Sequence, residues 1–127
     1  MRGAYLCEAI QALLQTAFPG VYVGLPQDDG RITMPCITMQ IRASSVLGSP
    51  LERGTLTLHV CSQADDTTPE AHATFVYNVG QTMRGIVVSN DKVHLAGIVS
   101  TDSDEAHAER HWQTPLSFTV GFTPSIL

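Results

Sequence analysis

Charge is scarce in this chain. Only 15% of its 127 residues are Asp, Glu, Lys or Arg, and acidic residues outnumber basic ones by 12 to 7. A formal net charge of −5 argues against a dedicated nucleic-acid binder, which carries a basic face. It does not forbid a protein that DNA merely passes. No block of like charge is long enough to form a tail. Long apolar runs are missing as well, so no segment approaches membrane-spanning length. The opening "MRGAYLCEAIQALL" is interrupted by Glu8 and Gln11, and reads as a folded helix rather than a secretory signal. Cysteines are few and odd in number: Cys7, Cys36 and Cys61 fit no zinc-ligand spacing. Cys7 and Cys61 fall in apolar segments, so the expected state is that of small, reduced, buried hydrophobes in a cytosolic protein. There is no Gly-rich phosphate cradle, no Gly-x-Ser-x-Gly and no Cys-x-x-Cys. Trp112 is the only tryptophan, and suits either a core or an interface anchor.

What is present is enough for one core. The length fits a single domain over 1–127, and a chain of this size buries roughly two-thirds of its unfolded surface. Ser and Thr take up the room left by charge, which favours contact with other protein surfaces.

Over 4–18 the apolar residues Leu6, Ala9, Ile10, Leu13, Leu14 and Ala17 recur at helical spacing, and Pro19-Gly20 ends the run. "VYVG" is a short strand, followed by a loop with Pro26, Asp28, Asp29 and Gly30. "PCITMQIRA" alternates, with Ile37, Met39 and Ile41 on one face and Thr38, Gln40 and Arg42 on the other. "SSVLGSPLERG" breaks the pattern. "TLTLHVCS" restores it, with Leu56, Leu58 and Val60 opposed to Thr55, Thr57, His59 and Cys61. A second helix follows, with Thr68 as N-cap, Pro69 in the first turn, Glu70 at the positive dipole end and Gly85 as stop. His72, Phe75, Val76, Val79 and Met83 form its stripe. "VHLAGIVST" and "PLSFTVGFT" are the last strands, the latter burying Leu116, Phe118, Val120 and Phe122. The expectation is an α+β domain. It has an antiparallel or mixed sheet of four to five strands, with both helices packed on one face and Thr residues on the other. Such an exposed face or unpaired edge suits assembly.

The most chemical-looking stretch is "STDSDEAHAERHWQ". On a helix His107 and His111 align while Glu109 points away, so the arrangement is not that of a helical zinc protease. On a strand all three share a face, but two pleats separate the histidines, which makes one-ion chelation awkward. The plainer reading is a polar arm that becomes a strand leading into Trp112. His59, His72 and His94 read as packing or surface residues rather than catalytic ones. Cys61 and His59, two apart on one strand face, point in parallel and do not make a tuned nucleophile pair. Asp65 and Asp66 read as turn residues.

Taken together, "ALLQTAFPGVYVGLPQDD", "MPCITMQ", "RGTLTLHVCSQ", "TPEAHATFVYNVGQTMRG" and "RHWQTPLSFTVGF" resemble the tail-terminator and tail-completion (neck) proteins of long-tailed bacteriophages. There an N-terminal helix precedes a short strand, a "P-[CY]-[IV]" strand opens the sheet, and a hairpin closes the chain. The resemblance spans 6–122. It implies a non-enzymatic virion protein without cofactor or metal. It implies a homo-oligomeric, hexameric ring that caps the tail tube, stops its polymerisation and meets the head connector or neck. DNA would pass through the lumen without specific binding, helped by an acidic wall, and no membrane would be involved. Two segments, 44–53 and 100–113, do not align with the family pattern. They supply the expected assembly residues: Arg42, Leu47, Leu51, Glu52 and Arg53 in one, and Asp102, Asp104, Glu105, Glu109, Arg110 and His111 in the other. The alternative is a small cytosolic metal-binding or hydrolytic domain using His107, His111 and nearby carboxylates.

Overall fold

The computed structural model describes residues 2–24, 35–45, 50–63, 67–100, 106–108 and 111–124. The chain runs α1 (Arg2–Ala17), β1 (Tyr22–Gly24), β2 (Cys36–Ser45), β3 (Glu52–Gln63), α2 (Pro69–Arg84), β4 (Val93–Ser100), β5 (Ala106–Ala108) and β6 (His111–Pro124). The strands lie in the order β1-β2-β3-β6-β4, with the short β5 also paired to β6. β1 is parallel to β2 and every other pairing is antiparallel, so the sheet is mixed. The fold is α+β, as the sequence pattern predicts.

Both helices cover one face. Leu6, Ile10 and Leu14 of α1 and Val79 and Met83 of α2 join one cluster with Ile37, Met39, Leu56, Leu58, Val60, Phe118, Val120 and Phe122. Strand side chains alternate, so these positions share a face through the register Ile37↔Val60, Met39↔Leu58 and Leu56↔Phe118. Each fully buried Leu, Ile or Phe contributes about 2 kcal/mol of transfer free energy. The helices touch through Phe18 and Phe75, edge to face with ring centroids 5.9 Å apart. Leu13 departs from the expected stripe. It is 41% exposed, because Leu6, Ile10 and Leu14 at four-residue spacing take the centre of the buried arc.

The local signals at the helix ends hold. The Thr68 hydroxyl accepts from the Ala71 amide at 3.1 Å, and Gly85 caps the other end. Gly20, past the end of α1, has φ +92°, the left-handed geometry that favours glycine. α1 also fixes β1 through two side-chain amides. Gln11 Nε2 donates to Val23 O at 2.9 Å, and Gln15 Nε2 to Val21 O at 2.8 Å.

Three boundaries differ from the sequence pattern. β2 continues to Ser45 and β3 already begins at Glu52, so part of "SSVLGSPLERG" is strand. Gly54, which reads as a breaker, lies inside β3: a Cβ there would run into the backbone at Arg42 O and Ala43 Cα. Its absent side chain is what lets the two backbones approach. β6 begins at His111 rather than at Pro115, because the polar segment His111-Trp112-Gln113 pairs with Gln63-Ser62-Cys61.

Candidate assembly surfaces and buried polar sites

The two segments singled out for assembly lie at opposite ends of the sheet. β2 and β3 pair out to Ser45↔Glu52, at the end of the sheet where β6 passes Phe122. β5 and β6 pair out to Ala108↔His111, at the end of the sheet where β3 reaches Gln63. The eleven-residue rise from Glu52 to Gln63 along β3 separates these ends by roughly 36 Å at about 3.3 Å per residue.

Of the expected assembly residues, Arg42, Glu52 and Arg53 are in strands rather than in a loop, with Arg42 and Arg53 exposed and Glu52 half-buried. Leu51 is half-buried just before β3. His111 is the first residue of β6 and pairs with Gln63 and Ala108. Leu47, Asp102, Asp104, Glu105, Glu109 and Arg110 lie outside the described residues.

Register also bears on the metal reading of the histidine stretch. His107 pairs with Trp112, and His111 with Ala108. Paired positions share a face and successive positions alternate, so His107 and His111 occupy positions of opposite faces. The same-face arrangement that a single extended strand would give them is not formed, because the two histidines belong to two antiparallel strands, β5 and β6.

The face away from the helices is not uniform. At the β2–β3 hairpin end it shows Gln40, Arg42, Thr55 and Thr119 to solvent, and Val99 is 66% exposed. Toward the other end Thr38, Cys36 and Cys61 are buried. The expected Thr-rich open face is therefore realised over part of the sheet. A groove of about 730 Å³ runs beside it, between Ala4, Cys7, Glu8 and Gln11 of α1 and Met39–Arg42 of β2. β1 pairs only with Cys36–Thr38. Among the described residues no strand covers β2 from Met39 onward on that side, while the outer side of β4 is bridged by Ser89 at His94, with Leu95 N donating to Val88 O, and is uncovered only beyond Leu95.

His72 is the most enclosed polar side chain on α2. It faces β3 and β6, where Nδ1 is 2.8 Å from Ser62 Oγ and Nε2 is 2.9 Å from Thr114 Oγ1. Its ring stacks on Trp112 at 6.2 Å between centroids and 27° between planes. Trp112 Nε1 donates to Thr67 O at 3.1 Å. The cluster pins the start of α2 to two strands, which bears out His72 as a packing residue and gives Trp112 a place at the helix–sheet junction. Ser62 also lines a cleft of about 470 Å³ with Phe18, Thr67, Ala71 and Phe75. The sequence does carry a signal for this cluster: Ser62 and Thr114 are polar at positions whose alternation points to the core.

Cys61 and His59 do not form a nucleophile pair. Cys61 Sγ donates to the His59 backbone carbonyl at 3.9 Å, while Gln113 Nε2 donates to His59 Nδ1 at 3.0 Å. Cys61 instead stands opposite Cys36, a pairing that sequence spacing does not reveal. A hydrogen bond from Cys61 holds the Cys36 thiol below the ordinary thiol range, outweighing burial. The same bond, then burial and the Cys36 charge, push Cys61 far up. Burial alone raises Cys7 on α1.

No protein-family model and no curated protein matches this sequence. Solved structures do share the fold. One is a chain of the virion of a native gene transfer agent particle, with TM-score 0.58 and 14% identity over 90% of this chain and 84% of that one. A second, of a protein without a descriptive name, gives TM-score 0.61 and 12% identity over 98% and 93%. At such identities the likeness is one of fold, and it spans nearly the whole chain.

Proposed function

We propose that this chain is a structural protein of a phage-like particle, acting as a tail terminator or an adjacent neck component. The observation that carries the reading is the fold shared, almost end to end, with a protein of a gene transfer agent virion. The geometry supplies a way for it to work. Two connections at opposite ends of one sheet offer separate contacts, one for the tail tube and one for the head connector or neck. The two edges of the sheet differ: on one side β1 covers only the start of β2, and on the other Ser89 bridges only the start of β4. Contact between unlike edges of successive copies is head-to-tail, the arrangement that closes rings when the rotation suits. Six copies would form a ring that ends tube growth and leaves a lumen for DNA. The low charge and net acidity fit a wall that phosphates slide past. The place of action is the virion, and the role is non-enzymatic.

The test is to add the purified protein to tail-tube protein of the same particle as it polymerises. The expected result is shorter tubes bearing a ring at one end by negative-stain microscopy. Tubes of unchanged length with bare ends would overturn the reading. Light scattering after size exclusion gives the subunit number of the free protein, and a monomer retaining a stoichiometric metal would also count against it.

A further inference from the structure

Cys36 and Cys61 take no part in the assembly reading, yet the fold brings them together from 25 positions apart in sequence (61 − 36). They face each other directly in the β2–β3 ladder. Opposed residues of an antiparallel pair have Cβ atoms about 4.5–5.5 Å apart, close to the roughly 3.5–4.5 Å that a disulfide spans. Both are buried, with 1% of Cys36 and 6% of Cys61 exposed. Cys7 belongs to α1, on the opposite face of the sheet, and is excluded from the pair.

We propose that Cys36 and Cys61 form a dithiol modification site that closes to a disulfide by exchange with a small-molecule disulfide of the glutathione class. Cys36, whose thiol is held below the ordinary range while that of Cys61 is pushed up, ionises the more readily. Its thiolate attacks one sulfur of the external disulfide, forming a mixed disulfide and releasing one small thiolate. Cys61 gives its proton to solvent and attacks the Cys36 sulfur, expelling the second small thiolate. The protein is oxidised by two electrons, and the external disulfide is reduced to two thiols. Burial sets the pace, since the reagent reaches Cys36 only when the β2–β3 ladder opens locally. This inference does not depend on the assembly role.

The experiment uses the full chain, folded, incubated with oxidised glutathione. The expected product has lost the mass of two hydrogens, yields a peptide joining Cys36 to Cys61, and retains an alkylatable Cys7. Its urea midpoint shifts on closure and returns on reduction. Cys7→Ser still closes, whereas Cys36→Ser and Cys61→Ser do not. Where a serine variant fails to fold, alanine replaces it, and peptide mapping of the unmodified sequence decides independently. Stable glutathione adducts on both residues, a link to Cys7, or no loss of thiols on prolonged exposure would each overturn the proposal.

Discussion

His72 is held at both ring nitrogens by hydroxyl groups and cannot be shortened without leaving them unpaired. His72→Ala removes the ring that stacks on Trp112 and strands Ser62 and Thr114 in the interior. The expected loss is about 2–4 kcal/mol, the sum of a cavity and lost hydrogen bonds. Thr114→Val keeps the shape but leaves Nε2 without that partner, for a loss of about 1–3 kcal/mol. Urea unfolding followed by far-ultraviolet dichroism measures both. A smaller effect, about 1 kcal/mol, is expected for Thr68→Ala, which removes the hydroxyl that caps α2. The cap was readable from Thr68-Pro69-Glu70 alone, since capping is local chemistry. The partners of His72 were not, because they lie 10 and 42 residues away and depend on which strands become neighbours.

Among the elements, the β2–β3 pair is where sequence pattern and structure part most clearly. Alternation located Ile37–Ile41 and Leu56–Val60, because burial on one face imposes a two-residue period. It stopped short at Gly54, since glycine commonly marks a break in a strand. In the folded chain Gly54 is paired with Ala43 and Val120, and its missing Cβ makes room for Arg42 O. Gly54→Ala is therefore expected to destabilise, by roughly 1–3 kcal/mol as overpacking against backbone. Thermal melting checks this, with Gly80→Ala, where an added Cβ meets nothing within 4 Å, as the control expected to melt no lower. The polar start of β6 fits the reading of a polar arm that becomes a strand leading into Trp112, but its beginning is not set by alternation. His111–Gln113 carry no apolar alternation, and their strand character comes from pairing with β3 on one side and β5 on the other. The β2–β3 register creates the Cys36–Cys61 pair, and the local β5–β6 register puts His107 and His111 at positions of opposite faces.

At the scale of the whole molecule, the two ends of the sheet should be separable by mutation. Polar replacement of Leu47 and Leu51 is expected to weaken one partner's binding by about tenfold or more while sparing the other. Replacing Asp102, Asp104 and Glu105 by Asn and Gln should do the reverse. Co-sedimentation with tubes and, separately, with connector rings reads both. If each change weakened both partners equally, the division of labour between the ends would be wrong. If copies meet through the edges of β2 and β4, as proposed, that contact should survive both sets.

The placement of the two connections has a mechanical side. A pull that reaches β3 at Glu52 and β6 at His111 crosses from one strand to the other through the β3–β6 ladder. Twelve register pairs, Glu52↔Phe122 through Gln63↔His111, span that crossing. Their hydrogen bonds lie across the strands and so across the load. They are strained together, in shear, rather than unzipped one after another from an end. A tension that peels a hairpin breaks one pair at a time. Here a tension along the sheet axis must slide β3 past β6 as a unit. The molecule is therefore stiffest along the line that joins its two ends.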